Sequence, residues 1–370
     1  MSVGFGLVLG ELAARILLGA PQVVTIYAAE RGEDRRALES AEAVDLTLPE
    51  HPEQGGVYVE TETGRRLRAN CRAVIENHTL SERRIEIRTN AIGYRNPQIG
   101  RKQRHRILFL GDSITFGDYL QEPETFVRQV EKIAAAEGHS WETINAGVGG
   151  ISLANELHIL EETGLDLDPD VVVLGFYLND FQESPAVYVP RLPVVLEHSR
   201  LLYHLVRVIA LWSQPETEHH DVAAWREAFV ASHELQVGDY RTSQAAFDQL
   251  VTNHFRDWGA AFGPEAWEVI RPMLSRLKHL SVQHDFQLVI VAFPTSVQVV
   301  AKVSSNYPQQ QLKAIANQLQ VPLLDTLPIL QAEWHSSGQR LFYDVCHHTP
   351  YANRILAEHI TEFLLGVTAQ

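Results

Sequence analysis

Hydrophobic positions change rhythm along this chain of 370 residues. Between about Val44 and Arg95 apolar and polar residues alternate, as in Gly56-Val-Tyr-Val-Glu-Thr-Glu-Thr63 and Arg84-Ile-Glu-Ile-Arg-Thr89, with turn residues between. A period of two puts every second side chain on one face and predicts half-buried strands. From about residue 105 the pattern becomes short continuous apolar runs: Arg106-Ile-Leu-Phe-Leu110, Trp141-Glu-Thr-Ile-Asn145, Asp170-Val-Val-Val-Leu-Gly175, Gln287-Leu-Val-Ile-Val-Ala-Phe293 and Val321-Pro-Leu-Leu-Asp325. Helical segments fall between and after them, at about residues 123–137, up to Glu161, at 309–319 and at 351–365. Strands apolar on both faces that alternate with helices predict a parallel sheet covered on either side, a three-layer α/β architecture.

Between about residues 181 and 280 the strand signal lapses. Residues 201–212 (Leu-Leu-Tyr-His-Leu-Val-Arg-Val-Ile-Ala-Leu-Trp) read as an apolar helix and 215–221 as an acidic loop, so a helical insertion is predicted. It leaves the sheet just beyond the carboxyl end of a strand, where open α/β sheets bind ligands. The apolar helix therefore either caps that crevice or is ordinary buried packing. The chain divides into an N-terminal segment (1–20), a β-rich region (21–104) and an α/β domain (105–370) carrying the insertion.

Residues 2–10 are apolar or small, but Glu11 and Arg15 interrupt them on one helical face. The apolar run is far shorter than the roughly 20 residues of a membrane span. Two readings stand: a surface helix with a Glu11–Arg15 pair one turn apart, or a membrane-facing segment, either interfacial or the tail of a signal anchor. The second would place the protein at the cell envelope, the first leaves a cytoplasmic location open.

Composition narrows the partners. Lys and Arg number 31 against 46 Asp and Glu, a net charge of −15, so the overall field repels polyanions and argues against nucleic acid. With 45% hydrophobic residues the chain can bury a full core. Its two cysteines form neither a disulfide framework nor a paired zinc motif, although they admit a Cys71–Cys346 bridge.

Candidate chemistry gathers at the ends of the apolar runs. Phe109-Leu-Gly-Asp-Ser-Ile-Thr115 sets Ser113 just after the first strand of the sheet, at the start of a helix, where a nucleophile is well placed. Gly111 there permits a tight turn. Thr115 breaks the G-x-S-x-G pattern of a nucleophile elbow. A serine needs a base, and Tyr343-Asp-Val-Cys-His-His-Thr-Pro350 offers one before the last helix. Asp344 and His347 are three apart, so the carboxylate can hold one ring nitrogen while the other faces Ser113, and His348 competes for the role. Donors for a tetrahedral oxyanion come from Ser113 N–H, from Gly150 in Asn145-Ala-Gly-Val-Gly-Gly150, and from the side chain of Asn179 in Leu178-Asn-Asp180. The glycine cluster lacks the third glycine of a dinucleotide fingerprint.

Other features read more simply. Asn77-His-Thr79 fits a glycosylation sequon by chance, and His219-His220-Asp221 reads as a solvated acidic loop without a partner pair for a metal. Asp325 either lines the crevice or caps the next helix, and Arg95 either meets an anionic substrate or lies solvated at the surface.

Taken in order, Gly111-Asp-Ser113, Asn145-Ala-Gly-Val-Gly-Gly150, Asn179-Asp180 and Asp344-x-x-His347 resemble the four blocks of the SGNH hydrolases, the GDSL-type esterases and lipases. The resemblance covers about residues 106–365 outside the insertion. It implies a flavodoxin-like α/β/α fold, Ser113 as nucleophile, His347 as base, Asp344 as its orienter, and Ser113, Gly150 and Asn179 as oxyanion donors, with no metal or organic cofactor. Departures are Tyr177-Leu178 where many members have a Gly before the Asn-Asp pair, and Ala352 where a Gly often follows the catalytic His. Thr89-Asn-Ala-Ile-Gly-Tyr-Arg95 also looks like a bacterial, envelope-anchored subset of that family. The expected activity is an ester hydrolase acting through an acyl-enzyme on acetyl or short acyl esters of carbohydrate. The alternatives are transfer of the acyl group to a glycan hydroxyl, a lipid or thioester substrate, and a non-catalytic envelope binding protein.

Overall fold

The alternating N-terminal pattern yields two small antiparallel units. In the computed structural model, which describes residues 2–17, 23–28, 57–76, 78, 80–181, 199–202, 204–205, 238–255 and 257–368, the chain opens with helix α1 (Ser2–Leu17). Strands β1 (Val23–Ala28), β2 (Tyr58–Thr61), β3 (Gly64–Leu67), β4 (Cys71–Glu76) and β5 (Ile85–Arg88) follow. β1, β4 and β5 form one sheet, in which Val23 pairs with Glu76 and Arg72 with Arg88, while β2 and β3 form a separate hairpin. On β4 and β5 the side chains that turn inward, Cys71, Ala73, Ile85 and Ile87, are buried.

The continuous apolar runs become β6 (His105–Gly111), β7 (Trp141–Asn145), β8 (Val171–Phe176), β9 (Gln287–Ala292) and β10 (Leu323–Asp325), all parallel, in the spatial order β10-β9-β8-β6-β7. This is the doubly wound flavodoxin-like order, and every residue of β8 is buried, as a strand covered on both faces requires. The switch point, where the chain reverses its direction of winding, falls between β6 and β8, so their carboxyl ends open a crevice.

Helices on the two faces are α2 (Ser113–Phe116), α3 (Phe126–Ala136), α4 (Leu153–Ile159), α5 (Gln244–Asn253), α6 (Pro264–Gln283), α7 (Ser296–Val300), α8 (Tyr307–Leu319), α9 (Leu327–Ser337) and α10 (Pro350–Thr368). Local chemistry sets their ends. Thr125 Oγ1 caps α3, and the Phe126 N–H donates to Asn353 Oδ1 of α10 at 2.9 Å, so these two helices are tied at their starts. Asp325 is a cap: its Oδ1 accepts the Leu327 N–H at 3.0 Å.

The stretch predicted as an insertion contains α5 and α6 among the described residues, and is helical at 200–202 and 204–205. Residues 206–212 of the apolar helix, the acidic loop at 215–221 with His219, His220 and Asp221, residues 29–56, and Asn77 and Thr79 of the sequon lie outside the described residues. Cys71 and Cys346 are both buried and both free, so the admitted bridge is not formed. In α1 the Glu11–Arg15 pair forms at 2.8 Å, and Glu11 also accepts from Ser199 and from the backbone of Arg200 and Leu201. Leu7, Val8, Leu9, Leu12, Ile16 and Leu17 of this helix are each at least half exposed. Among the described residues no helix is long and apolar enough to cross a membrane.

Candidate active site

Three loops at the carboxyl ends of adjacent strands are bonded to one another. Asp112 caps α2 through its Oδ1, which accepts the Ile114 N–H at 2.9 Å, and so fixes Ser113 on the first residue of that turn. The loop after β7 is drawn against it: Asn145 Nδ2 donates to Thr115 O at 2.8 Å, and Val148 N–H donates to Gly111 O at 3.1 Å. Gly147 makes this approach feasible, because a Cβ there would stand 2.4 Å from the backbone nitrogen of Phe116. The same loop reaches the one after β8 through the Leu153 N–H, which donates to Asp180 O at 2.8 Å. Asn145, Gly147 and Asp180 are thus the joints that bring Ser113, Gly150 and Asn179 to one end of the sheet.

Arg95 neither faces a substrate nor lies at the surface. It is fully buried and donates to the carbonyls of Phe116 at 2.9 Å and of Gly117 and Leu120 at 2.6 Å each. The Phe116 and Gly117 carbonyls lie at the end of α2 and that of Leu120 just beyond it, so the guanidinium closes the turn that begins at Ser113. Burial lowers its pKa to about 10, against the opposing charges of Asp118 and Glu122.

Ser113, His347 and Asp344 form a continuous hydrogen-bonded line. Ser113 Oγ lies 2.8 Å from His347 Nε2, and His347 Nδ1 lies 2.6 Å from Asp344 Oδ2. The other oxygen of Asp344 accepts the backbone N–H groups of Cys346 at 2.9 Å and His347 at 2.7 Å, so one carboxylate shapes the loop and orients the imidazole. The Tyr119 ring packs on the imidazole with centroids 4.4 Å apart. Burial alone would depress His347, but the charge and hydrogen bond of Asp344, followed by the charges of Asp118 and Asp112, raise it to about 9.

His348, the competing base, is excluded by its surroundings. Neither ring nitrogen has a partner, the ring sits against Phe293 and Phe342, and burial with the nearby His347 charge pushes it down to about 3.

The N–H groups of Ser113 and Gly150 donate to no acceptor among the described residues, which leaves both available to a developing oxyanion. Gly150 has φ +70°, a left-handed conformation that suits glycine, and its carbonyl accepts from Arg65 Nη1 at 3.3 Å. Asn179 is buried near Asp257, whose ionised form it favours, just before the short helical turn Trp258–Phe262. Burial and then the charge of Asp344 raise the half-buried Asp257 to about 7.

Four residues of the site had no motif to announce them: Tyr58, Arg65, Asp118 and Asp257. Two further carboxyls, Glu156 and Asp180, are fully buried, and both oxygens of Glu156 and Oδ1 of Asp180 lack a hydrogen-bond partner. Burial first, then the charge of Asp112 on Glu156 and of Glu156 and Asp112 on Asp180, hold both well above the ordinary carboxylate range.

One group of three metal-type ligands occurs among the described residues: Asp344, Cys346 and His347, with atoms within 4.8 Å of one another. Asp344 and His347 are already spent on each other, and burial drives the Cys346 thiol well above its usual value, so this group serves the line to Ser113 rather than a cation. Beside Ser113 opens a small recess bordered by Ile114, Gly117, Asp118, Tyr119, Leu120, His347, His348 and Asn353.

No model of a protein family matches the chain, and no curated protein does. Solved structures similar to it include an acetyl xylan esterase, 14% identical over 69% of this chain and 97% of that one with a TM-score of 0.40. A lipase/acylhydrolase from Enterococcus faecalis is 16% identical over 71% of this chain and 96% of its own, with a TM-score of 0.39. An acetylxylan esterase from Geobacillus stearothermophilus is 12% identical over 72% and 96%, also at a TM-score of 0.39.

Proposed function

We propose that this chain is a serine ester hydrolase of the SGNH type, working through an acyl-enzyme. The observation that carries the reading is the unbroken line Ser113 Oγ, His347 Nε2, His347 Nδ1, Asp344 Oδ2, with spacings of 2.8 and 2.6 Å. A serine hydroxyl at its ordinary pKa is a weak nucleophile, and a hydrogen-bonded imidazole in the right tautomer removes its proton as the bond to carbon forms. Asp344 holds the proton on Nδ1, so Nε2 presents its lone pair to Ser113.

Attack by Ser113 Oγ on the acyl carbonyl gives a tetrahedral oxyanion, for which Ser113 N–H, Gly150 N–H and the Asn179 amide are the donors. Removing one such donor costs about 3 kcal/mol of barrier stabilisation. Collapse breaks the bond to the alcohol, whose oxygen takes the proton back from His347. Water, activated by the same imidazole, then releases the acid.

For substrate we infer acetyl or other short acyl esters of carbohydrate, at or near a membrane. The recess beside Ser113 is small and bordered partly by the polar groups of Asp118, His347 and Asn353, which supports a compact polar ester over one with a long chain. The exposed apolar side chains of α1 support the membrane-facing reading of residues 1–20. Transfer of the same acyl group to a glycan hydroxyl would use the same residues.

The test is turnover of p-nitrophenyl acetate, butyrate and octanoate, with Ser113→Ala and His347→Ala alongside, and labelling of Ser113 by a fluorophosphonate. Acetate-preferring turnover that both substitutions abolish is the expected result. A preference for octanoate would transfer the reading to lipid substrates, and no turnover with no label on Ser113 would leave a binding protein.

A further inference from the structure

The β2–β3 hairpin lies outside the segments that carry the triad, yet it reaches the site at two points. Arg65 of β3 donates from Nη1 to the carbonyls of Gly149 at 3.2 Å and Gly150 at 3.3 Å. Tyr58 of β2 donates its hydroxyl to Asp118 Oδ1 at 3.3 Å, and its hydroxyl stands so near the loop that a Cβ on Gly149 would lie 2.5 Å away.

Asp118 is the residue with unspent capacity. Its Oδ2 lies 3.8 Å from His347 Nε2, the nitrogen bonded to Ser113, and accepts no hydrogen bond among the described residues. The side chain is 26% exposed and borders the recess beside the nucleophile. Burial raises this carboxyl, while His347, Arg95 and the Tyr58 hydroxyl favour its ionised form, and the charges of Asp344 and Asp112 face it as well. A carboxylate pinned through one oxygen thus offers the other, next to the base, to the space where the alcohol half of an ester must sit.

We propose that Asp118 Oδ2 accepts a hydrogen bond from a second hydroxyl of the alcohol that is released or acylated, so that the site selects esters of polyols over esters of simple alcohols. The inference rests on the ester-hydrolase reading and sharpens its substrate class. On a vicinal diol the two oxygens sit on adjacent carbons. When the ester oxygen is at His347 Nε2, its neighbour falls within reach of an acceptor 3.8 Å from that nitrogen. During acylation the Ser113 proton passes to Nε2 as the Oγ–carbon bond forms. Collapse breaks the carbon–oxygen bond to the alcohol, and that oxygen takes the proton from Nε2. The neighbouring hydroxyl keeps its own proton throughout and only donates to Asp118. A sugar offers such pairs of hydroxyls, whereas a simple alkyl alcohol leaves the carboxylate oxygen unpaired, which is the stronger source of discrimination.

The experiment compares glycerol 1-acetate with propyl acetate, which share the acyl group and differ in the extra hydroxyls. For each, kcat/KM is measured in wild type, Asp118→Asn and Tyr58→Phe. Because a loss of imidazole activation affects both esters alike, the quantity read is their ratio. Wild type favours the glycerol ester, Asp118→Asn lowers that ratio about tenfold or more, and Tyr58→Phe lowers it less, since the carboxylate stays but loses its tether. A ratio unchanged within twofold in Asp118→Asn overturns the proposal and leaves Asp118 as a partner of His347 alone. If wild type turns over neither ester the proposal also falls, and labelling of Ser113 by a fluorophosphonate then decides whether the hydrolase reading falls with it.

Discussion

Asp344→Asn tests the chemistry at its most constrained point, because the structure dictates how the new side chain would sit. Oδ1 of Asp344 accepts two backbone N–H groups, from Cys346 at 2.9 Å and His347 at 2.7 Å, and an amide oxygen can keep both. The amide nitrogen must then take the place of Oδ2, 2.6 Å from His347 Nδ1. It is a donor, so Nδ1 becomes the acceptor, the ring proton moves to Nε2, and a donor faces Ser113 Oγ where a lone pair is needed. The loop is preserved and the tautomer is inverted. The charge is lost as well: the rise of His347 from 6.5 to about 9 corresponds to about 3 kcal/mol in favour of the imidazolium, the form that must exist in each tetrahedral intermediate. Charge and tautomer together give an expected drop in kcat/KM of about 10⁴. The assay is p-nitrophenyl acetate hydrolysis between pH 5 and 10, with circular dichroism to confirm the fold. In wild type, activity rises with pH toward about 9 as the imidazolium gives up its proton, and the residual activity of the variant has this limb displaced to lower pH. A folded Asp344→Asn enzyme within tenfold of wild type would refute the assignment of His347 as base.

Two further substitutions probe the frame around the triad. Arg65→Ala removes the donor that holds the Gly149 and Gly150 carbonyls at 3.2 and 3.3 Å, so kcat should fall about 10- to 100-fold with KM changed much less, as steady-state kinetics would show. Glu156→Gln keeps the shape of a side chain whose folded pKa lies above its unfolded value. The stability contributed by wild-type Glu156 is present below its unfolded pKa and lost as pH rises through the folded one. The Gln variant should therefore be more stable than wild type at pH 9 and similar to it at pH 4. Urea midpoints at the two pH values measure both.

What the amino-acid pattern reveals and what it hides divide along chain distance. Continuous apolar runs announce β6, β8 and β9 because a strand buried on both faces must be apolar throughout, the edge strands β7 and β10 are announced by their place between helical segments, and the candidate catalytic residues are legible because each directly follows one of the strands or sits within one turn of its partner, as Asp344 does with His347. Arg95 is misread from the same pattern. A lone arginine looks solvated, and its partners are main-chain carbonyls 9 to 25 residues away that no side-chain pattern displays. Tyr58 and Arg65 are hidden more deeply, since they act on Asp118 and Gly150 across 60 and 85 residues. Alternation identifies their strands but only the packed structure shows what those strands face. The residues of the hydrogen-bonded line are thus local to the sheet, whereas Tyr58 and Arg65, which hold Asp118 and the Gly149–Gly150 loop, come from the β-rich region before it. A domain of residues 105–370 alone would keep Ser113, His347 and Asp344 but lose Tyr58, Arg65 and the Arg95 guanidinium at the end of α2, so the region before the sheet is part of the candidate site.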